Sequence, residues 1–206
     1  MPRSSSSTSA VIFAGGRATR LGGANKALLD VGDRAIIDRI LRALGPLVDE
    51  RLVLTNDASL GQRPGVRLVF DPEPHAGVLP ALASGLSQAR GALCLAVACD
   101  MPFVSQALFA HLLQVQREQE ADVVIPRAGD YLEPMHAVYR RAPVLAAVGE
   151  ALARGQQRMV SYFPSVRVVE VDENEVRRFD PDLRAFFNVN TPADLAKAQR
   201  LAAIDP

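Results

Sequence analysis

Short apolar runs alternate with amphipathic stretches along most of the chain, and this alternation constrains the fold more than any other feature. Strands are expected at Ala10 to Ala14, Leu52 to Thr55, Val66 to Phe70, Ala92 to Cys99, Asp122 to Ile125, Met135 to Tyr139 and Val166 to Val171. Between them, Ala35 to Leu47 carries Ile36, Ile37, Ile40, Leu41 and Leu44 at helical spacing. Leu79 to Ala89, Gln106 to Gln119 and Val144 to Ala153 read as further helices, and Thr191-Pro192 reads as the capped start of the last one. Strands alternating with helices predict an α/β fold, a three-layer, mostly parallel sheet with helices on both faces. The strand at Met135 to Tyr139 is expected to run antiparallel to part of it. Arg127 to Pro134 reads as a loop insertion.

At 206 residues the chain suits one domain, expected over residues 10–206, after a Ser-rich disordered tail over residues 1–9. Lys plus Arg number 23 and Asp plus Glu number 23. That balance argues against a nucleic-acid partner or an anionic membrane surface, so a polyanionic ligand would have to sit in a local pocket. No run approaches a membrane span and no signal peptide is evident, which predicts a cytoplasmic protein. Cys94 and Cys99 lie an odd number of residues apart in one apolar run. They should face opposite sides of the sheet and not pair. No Ser–His–Asp arrangement can be argued for His75, His111 or His136, which read as structural or solvated.

In open α/β sheets, ligands bind at the carboxyl ends of strands. That rule selects three places: after Ala14, after Phe70 and after Cys99. The first reads Phe13-Ala14-Gly15-Gly16-Arg17-Ala18-Thr19-Arg20-Leu21-Gly22-Gly23-Ala24-Asn25-Lys26. Its glycines let the backbone approach a ligand closely, and Arg20 and Lys26 add charge-assisted donors, a combination suited to a triphosphate. It is neither a P-loop nor a dinucleotide fingerprint. The third place holds Asp100, a carboxylate directly after a buried strand and well placed for a hard cation such as Mg2+. Asp71 ends another strand, where it could contact nucleotide or open the Asp-Pro turn.

These residues resemble the molybdenum cofactor guanylyltransferases, within the larger group of Rossmann-like nucleotidyltransferases. The family's Leu-Ala-Gly-Gly-x-x-x-Arg-Met-Gly-x-x-Lys loop is matched from Phe13 to Lys26 with one extra residue. Cys99-Asp100-Met101-Pro102-Phe103, Glu133-Pro134-Met135-His136-Ala137-Val138-Tyr139-Arg140 and Phe187-Asn188-Val189-Asn190-Thr191-Pro192 follow in the family's order. The chain departs at Asn25, where members usually have Asp, and at Gly77-Val78-Leu79-Pro80-Ala81, where Gly-Pro-Leu-Ala-Gly is usual. The resemblance implies a nucleotide-diphospho-sugar transferase type of fold and transfer of GMP from GTP to molybdopterin, with release of pyrophosphate. It implies that Phe13, Ala14, Gly15, Gly16 and Asp71 face the nucleotide, and that Arg20 and Lys26 hold phosphates. Asp100 would bind Mg2+, and Asn188 and Asn190 would face the acceptor. Contact with proteins that make or receive the cofactor would follow. The alternatives are transfer from CTP, another acceptor such as a sugar phosphate, a non-catalytic nucleotide-binding module, and a nicotinamide oxidoreductase, the last disfavoured by the absent fingerprint.

Overall fold

The computed structural model of the chain describes residues 7–15, 25–61, 63–72 and 76–204. Among them, the strands are β1 (Thr8–Phe13), β2 (Asp30–Val31), β3 (Arg34–Ala35), β4 (Glu50–Leu54), β5 (Val66–Val69), β6 (Leu93–Ala98), β7 (Val123–Ala128), β8 (Tyr131–Leu132), β9 (His136–Arg140) and β10 (Val168–Val171). The helices are α1 (Ile36–Leu44), α2 (Val78–Gln88), α3 (Gln106–Gln119), α4 (Arg141–Ala153), the single turn α5 (Glu173–Val176), and α6 (Pro192–Ile204). One sheet runs in the order β10-β7-β9-β6-β1-β4-β5, with β8 paired to β7, while β2 and β3 form a separate ribbon. β6, β1, β4 and β5 are parallel. β9 is antiparallel to both β6 and β7, as its sequence position suggested.

Side-chain alternation along the strands makes the three layers. In β1, Ala10 and Ile12 pack on one face with Ile36, Ile37, Ile40 and Leu44 of α1 and Leu108, Phe109 and Leu112 of α3. Val11 and Phe13 pack on the other face with Leu79, Leu82 and Leu86 of α2 and Val144 and Val148 of α4. The two helix layers therefore read opposite residues of the same strand. Cys94 belongs to the second face and Cys99 to the first, so they are unpaired as expected. Burial pushes both thiols up to about 12, leaving them protonated and unreactive at neutral pH. Where α2 crosses β1 the backbones are close. A Cβ at Gly85 would lie 2.7 Å from Val11 Cγ1 and 2.9 Å from Phe13 Cζ.

Two expectations are corrected. Thr8 and Ser9, read as tail, belong to β1 and are buried. Ser9 Oγ donates to Glu50 Oε2 at 2.6 Å and accepts from Gly91 N at 2.8 Å, so partners distant in sequence satisfy a polar residue that looked like linker. Residues 1–6 of that tail lie outside the described residues. Arg127 to Pro134 is not a plain loop insertion: Arg127 and Ala128 extend β7, and Gly129-Asp130 turns the chain into β8, pairing Ala128 with Tyr131. Gly129 takes φ +57°, a conformation that glycine reaches without steric cost. The hydroxyl cap expected at Thr191 is present. Thr191 Oγ1 accepts from Asp194 N at 3.2 Å, and Asp194 Oδ2 accepts in return from Thr191 N at 2.8 Å.

Candidate active site

The carboxyl ends of β1, β4, β5 and β6 lie side by side and gather most of the residues that the sequence singled out. β1 carries Phe13 into the core, where its side chain is 8% exposed and its carbonyl accepts from Cys99 N at 3.0 Å. Its side chain is thus a packing residue that delivers the next two residues to the edge. Ala14 N donates to Leu54 O at 2.8 Å, and Ala14 O accepts from Thr55 Oγ1 at 3.2 Å. Gly15 is exposed, and a Cβ built on it would meet nothing within 4 Å. Gly16 and Arg20 lie outside the described residues, as does His75.

Lys26 opens a 3-10 turn, Lys26–Leu28, capped by Asn25, whose Oδ1 accepts from Ala27 N at 2.9 Å. From there its ammonium reaches two distant segments. Nζ lies 3.3 Å from Asp100 Oδ2 and donates to Asn190 Oδ1. The Lys26 and Asp100 side chains are only 13% and 21% exposed, so water screens their attraction incompletely. The other carboxylate oxygen, Asp100 Oδ1, is buried with no hydrogen-bond partner among the described residues. The backbone of Asp100 is fixed separately: its carbonyl accepts from Val189 N at 2.8 Å, which brings the Asn188–Asn190 segment to the same edge. Asn190 is exposed there and contacts Lys26, whereas Asn188 Nδ2 donates to Phe186 O at 3.0 Å and steadies its own loop. The Thr191 hydroxyl and the Asn190 N–H beside it hold the Asp194 carboxyl below its ordinary range.

Asp71 stands at the far side of the edge. Its N–H donates to Asn56 Oδ1 at 2.9 Å and its carbonyl accepts from Asn56 Nδ2 at 3.1 Å. β4 and β1 separate β5 from β6, so the strands that lead into Asp71 and Asp100 are three inter-strand steps, roughly 14 Å, apart. The two residues therefore stand at opposite ends of the edge. The unusual segment Gly77-Val78-Leu79-Pro80-Ala81 forms the start of α2. Gly77 takes φ +117°, Leu79 is fully buried, and Val78 stands 49% exposed at the helix N-terminus, so the departure adds surface bulk without disturbing the core.

Sequence reasoning missed Thr55, Asn56 and Asp57. They follow β4 at the same carboxyl edge, so the strand-end rule that selected Asp71 and Asp100 could have found them. Asp57 Oδ2 accepts from Asn25 Nδ2 at 2.9 Å, which accounts for the amide at position 25: it donates to a carboxylate.

Hard divalent cations with few protein ligands take one or two carboxylates, together with phosphate oxygens and water. No cluster of three or more His, Cys, Asp or Glu side chains able to hold a metal occurs among the described residues. Asp100, with one buried carboxylate oxygen that has no hydrogen-bond partner among the described residues, fits the sparse kind of site. No helix among the described residues is long and apolar enough to cross a membrane.

A mostly parallel sheet with Gly15, Lys26 and Asp100 at one carboxyl edge is the arrangement expected of a nucleotidyltransferase, and the relatives of the chain give that class. Residues 10–168 match the family of the MobA-like NTP transferase domain. The chain belongs to that family. It is 38% identical over 192 residues to a probable molybdenum cofactor guanylyltransferase of Pelotomaculum thermopropionicum, covering 93% of this chain and 92% of the relative. Among solved structures, the molybdopterin-guanine dinucleotide biosynthesis protein A of Archaeoglobus fulgidus superposes with a TM-score of 0.79 at 24% identity, covering 95% of this chain and 99% of that one. The 2-C-methyl-D-erythritol 4-phosphate cytidylyltransferase of Thermus thermophilus superposes with a TM-score of 0.67 at 21% identity, covering 94% and 98%. The same scaffold is thus shared by proteins named for different nucleotides and acceptors.

Proposed function

We propose that this chain transfers GMP from GTP to molybdopterin, forming molybdopterin guanine dinucleotide and pyrophosphate. The observation that carries the reading is Lys26 held between Asp100 and Asn190 at the carboxyl edge, with buried Asp100 Oδ1 lacking a partner among the described residues. An oxygen of the acceptor's phosphate attacks the α-phosphorus of GTP in line. The new phosphorus–oxygen bond forms as the bond to the β-phosphate oxygen breaks, and pyrophosphate departs with that electron pair. The attacking phosphate is ionised at neutral pH, so no strong general base is required. That agrees with His136 being sealed in the core and His111 being tied to Glu175 at 2.7 Å.

In this reading, catalysis is mainly positioning and neutralisation of charge. Lys26 places its ammonium against the triphosphate where charge grows on the leaving group. Gly15, with open space about its α-carbon, leaves room for a purine beside the strand end. Asp71 contacts the nucleotide from the other end of the cleft. Asn190, exposed, faces the acceptor. Asp100 would hold Mg2+, which when bound supplies positive charge to phosphate oxygens. The setting is cytoplasmic, and proteins that make or receive the molybdenum cofactor would deliver and collect the pterin.

The test supplies molybdopterin, and separately a sugar phosphate, with GTP, CTP or ATP in turn and measures pyrophosphate and the dinucleotide product. GTP is expected to turn over fastest. Faster turnover with CTP would overturn the base assignment, and turnover only with a sugar phosphate would overturn the acceptor.

A further inference from the structure

Lys26 projects from a short turn, and short turns hold a side chain accurately only if something outside them is rigid. Asn25 makes that connection here. Its carbonyl accepts from Leu28 N at 3.0 Å and its Oδ1 accepts from Ala27 N at 2.9 Å, which closes the turn. Its Nδ2 then donates to Asp57 Oδ2 at 2.9 Å, 32 residues away in sequence. Asp57 is itself fixed. Its Oδ1 accepts from Ser59 N at 2.8 Å, and its N–H donates to Thr55 Oγ1 at 3.1 Å. That hydroxyl in turn donates to Ala14 O, while Asn56 grips Asp71 by two hydrogen bonds. The tripeptide Thr55-Asn56-Asp57 therefore touches three separate parts of the edge: the end of β1, the start of the Lys26 turn and the end of β5.

We propose that Asn25 and Asp57 are a positioning pair, which sets Lys26 against the triphosphate and keeps it in register with Ala14 and Asp71. The inference rests on the nucleotidyl-transfer reading of this edge, but not on which base or acceptor is used. Neither residue needs to touch substrate. Their effect is exerted through the ammonium that the turn carries.

The hydrogen-bond inventory of the pair gives a sharp test. Asn25→Asp alone sets two carboxylates face to face where one proton was shared, breaking the link and pushing the turn away. Asp57→Asn alone removes the charge and forces the amide to choose between Asn25 and Ser59. Combining both restores every bond with the donor reversed. The carboxylate at position 25 still accepts from Ala27 N, the amide at position 57 donates to it, and the amide oxygen still accepts from Ser59 N. Net charge is the same as in the wild type.

Pyrophosphate release is measured with whichever triphosphate and acceptor the wild type turns over fastest, alongside the thermal midpoint of each variant. For Asn25→Asp, kcat is expected to fall about tenfold to a hundredfold, the scale of a misplacement of about 1 Å. KM for the triphosphate should stay within about threefold, because Lys26 contributes most as charge builds in the transition state. The double variant is expected to return to within about threefold of wild type. A wild-type kcat in Asn25→Asp would overturn the proposal, as would a double variant no better than Asn25→Asp, which would mean that charge placement and not the hydrogen bond matters. A loss of kcat that simply tracks a lower thermal midpoint would overturn it too. If the wild type releases no pyrophosphate with any triphosphate, the functional reading itself fails, and this proposal with it.

Discussion

Acid should unfold this protein in part through one side chain. His136 begins β9 with 0% exposure and neither ring nitrogen hydrogen-bonded among the described residues. Its ring stacks on Phe109 at 4.3 Å and meets the edge of Phe186 at 5.2 Å. Burial pushes the imidazole down to about 3, from an ordinary value of 6.5. Between those two values the unfolded chain binds a proton that the folded chain refuses, so stability is complete above about pH 6.5 and drains away as the pH falls toward 3. The slope is about 1.4 kcal/mol per pH unit, which gives about 2 kcal/mol lost by pH 5 and a ceiling of about 5 kcal/mol near pH 3. His136→Leu removes the titrating ring at similar volume. Urea unfolding of wild type and variant at pH 7.5, 6 and 5 gives the comparison. Taking the difference between the two proteins cancels the carboxylates, including Glu133, whose carboxyl burial raises. The variant should gain about 2 kcal/mol relative to wild type between pH 7.5 and 5. A difference that stays flat over that range would show that His136 is protonated in the fold or reached by water, and would refute the reasoning.

Two predictions concern the edge itself. Lys26→Ala should lower kcat by roughly 10² to 10³, the usual cost of about 3–4 kcal/mol for losing one preorganised donor, with little change in thermal midpoint. A folded variant releasing pyrophosphate at the wild-type rate would refute that role. Asp100→Ala should abolish magnesium-dependent turnover, which a titration of rate against magnesium concentration reads directly. Its backbone bond to Val189 survives the substitution, so an unchanged magnesium profile with slightly lower stability would reduce Asp100 to a turn residue.

Much of the fold was legible because its signals are local. Ile36, Ile37, Ile40 and Leu44 announce α1 by spacing alone, and Leu93–Ala98 is apolar throughout because both faces of β6 are covered. Asp100 and Asp71 could be singled out as candidates because strand ends are where such sheets bind ligands. What escaped depends on distant partners. Nothing near Ser9 says that Glu50 and Gly91 will receive its hydroxyl. Nothing near Asn25 says that Asp57 waits opposite, so the amide looked like a departure and not half of a pair. Asn190 was assigned to the acceptor, but its bond to Lys26, 164 residues away, follows from the closing of the sheet. The β7–β8 hairpin was missed for another reason: Pro126 and Pro134 suggest irregular chain, although Gly129-Asp130 is a recognisable two-residue turn.

The reversed direction of β9 has a consequence for how such an enzyme can change. In the parallel strands, only the residues that follow a strand arrive at the carboxyl edge. β9 runs the other way, so the residues before it, Glu133 to Met135, arrive there instead, and Met135 O accepts from Ala98 N at 3.2 Å two residues short of Asp100. The β8–β9 connection thus reaches the same edge from the opposite chain direction. Insertions and deletions between β8 and β9 would recast what lies beside Asp100 while leaving β1, β4 and β5, which pair with neither strand, in place. Under the proposed function, such a change would alter the recipient of the transferred group without rebuilding the strands that present Lys26 and Asp100 to the donor.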